Sequence, residues 1–128
     1  MTNIYNLFKF LEDKKGREIP FEIKILFNPE SITPDELNFD GDLKLSYTSI
    51  EYLPQGLKVA GYAEFRFSKL KALPENFEVG LNLDLYGSEI EYLPSGLKVG
   101  HDLNIRGTKI KSLPIDLEVG GNISTGRF

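Results

Sequence analysis

A leucine-proline pair recurs every 20 residues, at Leu53, Leu73, Leu93 and Leu113. Six positions around each pair are apolar in every unit. In the first unit they are Leu43, Leu45, Ile50, Leu53, Leu57 and Val59, and the residues 20, 40 and 60 positions later are also apolar. A fixed period of this length indicates a solenoid, in which each unit forms one coil and buries its apolar side chains against its neighbours.

Within a unit the apolar residues alternate with polar ones, as in Leu57, Val59, Ala63 and Phe65. This period of two predicts strands. Glycine interrupts the alternation in each unit, for example at Gly80, and is expected to allow a bend between two short strands. Equivalent strands of successive coils should then pair in parallel, advancing about 4.8 Å per coil.

The two ends of the repeat are expected to differ from its interior. We predict a capping helix and linker over residues 1–20, followed by one solenoid domain over residues 21–128. The helix is indicated by Ile4, Leu7, Phe8 and Leu11 at helical spacing, with Gly16 placed to end it. Before residue 41 the repeat register continues in degraded form, with Ile23, Ile25, Pro34, Leu37 and Phe39 at equivalent positions.

The C-terminal end shows no comparable cap. Residues 120–128 begin a further unit, so the last coil is expected to carry an unpaired strand edge and exposed apolar surface. A second subunit could cover that edge. We therefore predict weak homodimer formation through the C-terminal coil.

The pattern of L-x-L followed by L-P-x-x-L resembles the leucine-rich repeat family, in its short 20-residue bacterial and bacteriophage form. The resemblance implies a right-handed parallel leucine-rich-repeat solenoid, which together with the N-terminal capping helix gives an α+β, mostly β, fold. The asparagine that usually follows L-x-L is replaced by Thr48, Ser68, Ser88 and Thr108. A pentapeptide-repeat coil is the alternative architecture, but its core residues would recur every fifth position, unlike the spacings seen here.

The residues give little support for catalysis or for a cofactor. The chain has no cysteine and one histidine, His101, so neither a thiolate metal site nor a histidine triad can be built. His101 is expected at the surface. Recurring glutamates such as Glu78 and Glu118 fit a solvated face, and the lone corner glycines are not a phosphate loop. We expect no enzyme activity, no metal and no cofactor.

The outward positions of the strand after each glycine carry the candidate binding surface. Aromatic residues and arginine, which anchor many protein interfaces, concentrate there. The predicted partner-binding residues are Tyr47, Tyr62, Arg66, Phe67, Tyr86 and Arg106. Tyrosine is also a good strand former on a solvated sheet, which is the simpler explanation. Tyr52 and Tyr92, just before the leucine-proline pairs, are expected to pack over the turn.

Two classes of function stay open. One is a protein-binding module, and the resemblance implies a phage or prophage accessory protein that binds and inhibits a host or defence protein. The alternative is a solenoid that binds glycans or single-stranded nucleic acid, since aromatic rings stack on both. A net charge of −4 disfavours a general polyanion binder. Without a recognisable signal peptide or membrane span, we expect a cytoplasmic protein.

Overall fold

Equivalent short strands from successive coils pair in parallel and form two five-stranded sheets. A computed structural model of the chain describes residues 19–126. The capping helix predicted within residues 1–20, with Gly16 at its end, therefore lies outside the described residues. We call residues 41–60, 61–80, 81–100 and 101–120 coils 1 to 4. The result is a parallel β-solenoid of about four turns with one short helix near its N-terminal end.

Each coil contributes one strand to each sheet, as the glycine-interrupted alternation predicts. Sheet A contains β1 (Asn38–Phe39), β3 (Lys58–Val59), β5 (Glu78–Val79), β7 (Lys98–Val99) and β9 (Glu118–Val119). Sheet B contains β2 (Leu43–Lys44), β4 (Ala63–Glu64), β6 (Leu83–Asp84), β8 (Leu103–Asn104) and β10 (Ile123–Ser124). Every pairing joins residues one repeat apart, such as Val59 with Val79. The predicted period and its two strands per coil are confirmed.

The core consists of the six apolar positions that recur in the sequence. All of them are buried from Leu43 through Ile110, and they form one continuous cluster. The last coil differs, because Leu113 is 38% exposed where its equivalent Leu93 is 7% exposed. The described chain continues beyond coil 4 only through β10, which pairs with β8, so no described residue covers the part of coil 4 that contains Leu113. Burial is therefore complete only where a coil has neighbours on both sides.

Hydroxyl groups hold the turn after sheet B. Thr48, Ser68 and Thr108 each donate a hydrogen bond to the carbonyl three residues earlier, over 2.7, 2.8 and 2.6 Å. Ser68 and Thr108 also accept a bond from the amide two residues later. The buried hydroxyl of Ser88 has no hydrogen-bond partner among the described residues. Short hydroxyl side chains thus satisfy local backbone groups, but they do not link one coil to the next.

The glycines at the corner between the two sheets are required by the close approach of the coils. A methyl group on Gly80 would overlap the carbonyl oxygen of Ala60, and one on Gly100 would overlap that of Gly80. Neither glycine has a positive φ. Steric crowding between coils, rather than an unusual backbone conformation, excludes larger residues at these two positions.

The first unit departs from the predicted register. Ile23 and Ile25 were expected at strand positions, but they lie in a helix, α1 (Phe21–Phe27), which is followed by 3-10 helices at Pro29–Ser31 and Asp35–Leu37. A strand at this end would have one unpaired edge, whereas a helix satisfies its own backbone groups. The register resumes at Phe39, which pairs with Val59.

Helix α1 covers the first coil. Phe21 stacks on Phe39 with ring centroids 4.6 Å apart, and Phe21 and Ile25 belong to the core cluster. The carboxylate of Glu22 lies 3.5 Å from the backbone amide of Lys44 on the outer edge of β2. A cap of this kind protects both the apolar end of the solenoid and the strand edge.

A small polar cluster attaches α1 to the segment that leads into β1. Glu36 accepts hydrogen bonds from the amide and hydroxyl of Thr33, and the Glu36 amide donates to the Thr33 hydroxyl over 3.4 Å. This reciprocal arrangement is a capping box. Lys24 of α1 binds the same carboxylate over 2.8 Å. Hydrogen bonding from Lys24, followed by that from Thr33, lowers the pKa of Glu36.

Candidate binding surface

Most of the predicted partner-binding residues lie in the turn that follows each strand of sheet B. Parallel backbone hydrogen bonds continue from the strands into this turn. The amide of Tyr47 donates to Arg66, that of Phe67 to Tyr86 and that of Gly87 to Arg106, over 2.8 to 3.0 Å. The turn residues of successive coils are therefore stacked as regularly as the strands.

Three aromatic side chains form a continuous row along these turns, which we call the aromatic row: Tyr47, Phe67 and Tyr86. The rings of Tyr47 and Phe67 stack with centroids 5.5 Å apart, and Phe67 meets Tyr86 edge to face at 5.1 Å. Tyr47 is 75% exposed and Phe67 is 49% exposed. The row presents rigid apolar area to solvent.

Two members of the aromatic row occupy a strained backbone conformation. Tyr47 has φ 60° and Phe67 has φ 52°, in the left-handed region. The equivalent positions in coils 3 and 4 are Gly87 and Gly107, with φ 69° and 71°. The left-handed conformation costs a residue with a side chain about 1–2 kcal/mol, which glycine avoids. The turn itself therefore favours glycine, and coils 1 and 2 carry exposed aromatic residues there instead.

Gly87 also makes room for the aromatic row. A methyl group at Gly87 would overlap the ring of Phe67, so the ring lies directly over the backbone of the next coil. This glycine is needed both for its φ and for the space above it. The change from aromatic residues to glycine along the turn thus positions Phe67 between Tyr47 and Tyr86.

Arg66 and Asp84 surround the third ring of the row. The Arg66 guanidinium lies 5.0 Å from the centroid of Tyr86, within range of a cation–π interaction. Its Nε is 3.5 Å from Asp84, whose other oxygen accepts a hydrogen bond from the Tyr86 amide over 3.0 Å. An ion pair this exposed adds little stability. Its effect is to orient the arginine beside the ring.

Tyr62 lies away from the aromatic row, immediately before β4, whereas Arg66 lies in the turn after β4. Its ring lies under Lys44, 5.8 Å from the ammonium, and interaction with Tyr62, chiefly hydrogen bonding, raises the pKa of Lys44. Four residues of extended chain, roughly 13 Å, separate Tyr62 from Arg66. Arg66 and Tyr86 are brought together, whereas Tyr62 forms a second contact with Lys44.

Tyr62 also interrupts a ladder of side-chain hydrogen bonds. Asp42, Asn82 and Asp102 occupy this position in the other coils, and each accepts the amide of the residue 20 positions later, over 2.8 to 3.0 Å. A tyrosine ring cannot make that bond from this position, so coil 2 lacks this link to coil 3. As in the aromatic row, a residue suited to the scaffold is replaced by an aromatic one.

Arg106 lies on the turn beyond Tyr86 and is exposed. Its carbonyl accepts the Gly87 amide, and its own amide donates to Asn104 over 3.1 Å. Its side chain makes no salt bridge or cation–π contact with another described residue. Arg106 extends the line of Arg66 and Tyr86 by one strand.

A groove that was not predicted from the sequence lies on the other sheet, sheet A. An open groove of about 860 Å³ runs along the outer face of sheet A. Its charged residues alternate, with Lys58 bound to Glu78 over 2.7 Å and Lys98 to Glu118 over 3.9 Å. Hydrogen bonding from Lys58 lowers the pKa of Glu78. The alternation of lysine and glutamate at 20-residue spacing was the available signal.

The groove is a weaker candidate than the aromatic row, despite its size. Its floor contains Gly80 and Gly100, which the stacking of coils already requires. Four of its five charged residues, all except Asp40, form salt bridges with one another. Coil packing and intramolecular pairing thus account for the groove, but they do not account for exposed aromatic residues at a positive φ.

Other kinds of site find no support in the described part of the chain. His101 is exposed, as predicted. Residues 19–126 contain no group of three or more histidine, cysteine, aspartate or glutamate residues placed to hold a metal ion. None of the helices in that range is long and apolar enough to cross a membrane.

The fold and the aromatic row together define a parallel β-solenoid with an aromatic face. No protein-family model, curated protein or solved structure matches this chain.

Proposed function

We propose that the chain is a binding module that holds a protein partner through the aromatic row and Arg66. The observation that carries the proposal is the backbone at Tyr47 and Phe67. Both residues sit at a positive φ and expose their rings, where the same turn in later coils uses glycine. Strain of this kind tends to persist where function requires it. Binding of a partner that buries the two rings would be such a function.

The chemistry of the surface favours a protein. Tyrosine and arginine are enriched among the residues that contribute most to protein–protein affinity. Asp84 lies within the surface and the chain carries a net charge of −4, both unfavourable for a polyanion. The contacts of the three rings with one another also leave no slot between them for a base. Lys44 with Tyr62, and Arg106, would contact the periphery of the same partner.

The proposal extends to the type of solenoid and to its biological role. We take the coil to be a right-handed, short leucine-rich repeat, supported by the L-x-L and L-P-x-x-L pattern and by two strands per coil. We take the protein to be a cytoplasmic phage or prophage accessory protein that inhibits a host or defence protein by covering its surface. That role rests on the resemblance alone.

The double variant Tyr47→Gly with Phe67→Gly tests the binding surface. Glycine suits the turn, so folding should be retained while the rings are lost. The matched control is Lys58→Ala with Lys98→Ala, on sheet A. Each protein is used to capture partners from a lysate of the native host, with and without nuclease. We expect a stoichiometric protein that survives nuclease and is captured at least about tenfold less by the double glycine variant.

Three results would contradict the proposal. Loss of all captured material on nuclease treatment would indicate a nucleic-acid binder, and elution by free sugars would indicate a glycan binder. Full capture by the double glycine variant, with loss in the Lys58 and Lys98 control, would place the site on sheet A.

A further inference from the structure

Each coil has a third side, between the turn that holds the aromatic row and the leucine-proline pair. It consists of residues 49–52, 69–72, 89–92 and 109–112. Tyr52 and Tyr92 on this side were expected to pack over the turn, but they are 63% and 76% exposed. The chain runs extended here, since Tyr52 forms a parallel bridge with Ala72 and the Lys71 amide donates to Glu51 over 2.9 Å. The third side is thus a second regular surface with exposed tyrosines.

Large and small residues alternate along the third side. The position of Tyr52 is occupied by Ala72, Tyr92 and Ser112 in the following coils. All four residues are exposed. The two tyrosines are two coils apart, about 10 Å, with the alanine between them. The surface therefore has two projections, each with a depression of one coil's width beside it.

The sign of the charge on the third side also alternates from one coil to the next. Coil 2 carries Lys69 and Lys71, coil 3 carries Glu89 and Glu91, and coil 4 carries Lys109 and Lys111. Coil 1 carries Glu51 with the neutral Ser49. The sign of the charge is therefore negative, positive, negative and positive from coil 1 to coil 4.

The side-chain sizes and the charges of the third side both complement those of a second copy whose coils run in the opposite order. A two-fold axis parallel to the chain on this side, passing between coils 2 and 3, places coil 1 against coil 4 of a second copy and coil 2 against coil 3. Tyr92 then faces Ala72 of the second copy, and Tyr52 faces Ser112. Lys69 and Lys71 face Glu89 and Glu91. In an interface of this symmetry each contact occurs twice.

Five of the seven charged residues of the third side make no salt bridge with another described residue. Lys71 binds Glu51 over 2.9 Å. Within residues 19–126, no salt bridge forms at Lys69, Glu89, Glu91, Lys109 or Lys111. Sheet A has the same alternation of charge, but its lysines and glutamates already pair within the molecule, and it has no exposed tyrosine among its strands. Exposed tyrosines and unpaired charges distinguish the third side.

We propose that the third side is the interface of a symmetric homodimer, with Tyr52 and Tyr92 seated against Ser112 and Ala72 of a second copy. A two-fold axis parallel to the chain on this side reverses the order of the coils but keeps the direction of the chain within each coil. It therefore brings the aromatic rows of both copies to the same edge of the interface. The dimer does not depend on the proposed function, because its formation is measured with the purified protein alone.

A steric variant tests the fit. Ala72→Tyr places in coil 2 the residue that coils 1 and 3 already carry at this position, so the monomer should fold normally. It fills the depression that receives Tyr92. We expect sedimentation equilibrium to show a dimer for the wild type and at least about a tenfold increase in its dissociation constant for Ala72→Tyr. Lys98→Tyr, on sheet A, is the matched control and should leave the dimer unchanged.

A charge exchange tests the pairing. Glu91→Lys sets a lysine against Lys69 and Lys71 of the other copy and should weaken the dimer by about tenfold. Adding Lys71→Glu restores opposite charges across the axis and should recover most of that loss. Glu118→Lys, on sheet A, controls for the change in net charge. Residues 71 and 91 also lie in neighbouring coils of one copy, so the unfolding free energy of each variant is measured by urea denaturation in parallel. A dissociation constant that changes only as much as the unfolding free energy would show an effect on folding and would contradict the pairing between copies.

A disulfide tests the register, since the chain contains no cysteine. Tyr52→Cys with Ser112→Cys should yield a covalent dimer on oxidation, because these positions face each other between copies. Within one copy they are three coils apart, about 14 Å, which is beyond the reach of a disulfide. Either substitution alone should give no covalent dimer.

Three outcomes would overturn the proposal. One is a wild-type monomer at millimolar concentration. Another is a dimer that survives both Ala72→Tyr and Glu91→Lys. The third is a dimer abolished by Ile123→Asp on β10 but not by Ala72→Tyr, which would place the contact on the C-terminal coil instead.

Discussion

At the scale of single residues, each inward side chain of an interior coil packs between the same positions of two neighbouring coils. Leu85 is fully buried in this way, at 0% exposure. We expect Leu85→Ala to lower the free energy of unfolding by about 2–5 kcal/mol, because it leaves a cavity that the coils cannot close. Ile115→Ala, at a fully exposed position of coil 4, should change it by less than about 0.5 kcal/mol. Urea denaturation compares the two, and equal effects would refute the assigned register.

The turn of the aromatic row allows a second residue-scale prediction. Gly87→Ala combines a positive φ with an overlap against the ring of Phe67, and we expect it to destabilise the fold by about 1–3 kcal/mol. Phe67→Gly relieves strain but loses ring contacts, so its effect should stay within about 1 kcal/mol. In the double variant the overlap is absent and only the φ cost remains. Unfolding free energies in this cycle should therefore be non-additive, and strict additivity would disprove the ring contact.

At the scale of elements, the attachment of α1 depends on the ionised carboxylate of Glu36. Its pKa lies below the ordinary value of 4.5 in the folded state. The stabilisation is therefore complete above about pH 4.5 and is lost as the pH falls through the lowered pKa. We expect Glu36→Gln to cost less than about 1 kcal/mol at pH 7 and to flatten the fall in stability below pH 4.5.

Thermal unfolding from pH 7 to pH 3 measures this dependence. Glu75→Gln is the control, because Glu75 is exposed, lies outside the third side and makes no salt bridge with a described residue. An unchanged acid slope in Glu36→Gln would show that other carboxylates dominate the loss of stability in acid.

At the scale of the whole molecule, stability should vary along the solenoid axis. Each coil contacts only its neighbours, so the ends open more easily than the middle. The amides of Phe65 and Leu85 bond to the next coil from the centre of sheet B, whereas β10 is the last strand of that sheet. We expect hydrogen exchange to be slowest at Phe65 and Leu85 and much faster in β10. Uniform protection along the axis would indicate an all-or-none unit instead.

Dimer formation through the third side would change this profile in a specific way. It would slow exchange at Lys71, whose amide bonds to Glu51 on that side, while leaving the exposed edge of β10 fast. Dimer formation through the C-terminal coil would protect β10 instead. Exchange at two protein concentrations therefore separates the two assemblies.

The sequence alone determined the period, the core positions, the two strands per coil and the corner glycines. These features are repeated, and each copy of a unit has nearly the same surroundings, so local alternation and 20-residue spacing were sufficient. The same regularity identified the aromatic and arginine residues as outward-facing. The positive φ of Tyr47 and Phe67 was not predicted, because aromatic residues rarely adopt it; Gly87 and Gly107 at the equivalent positions were the available signal.

Only the tertiary structure decided how the ends and the sides of the solenoid are used. Phe21–Phe27 alternates like a strand but forms a helix, because a strand there would lack a partner on one edge. Tyr62 was predicted to share one binding surface with Arg66. In the structure it contacts Lys44 instead, at the opposite end of β4 from Arg66. Tyr52 and Tyr92 project from the third side, whereas the leucines that follow them, Leu53 and Leu93, are buried in the core. Contacts between coils, which a linear pattern does not contain, settled each of these points.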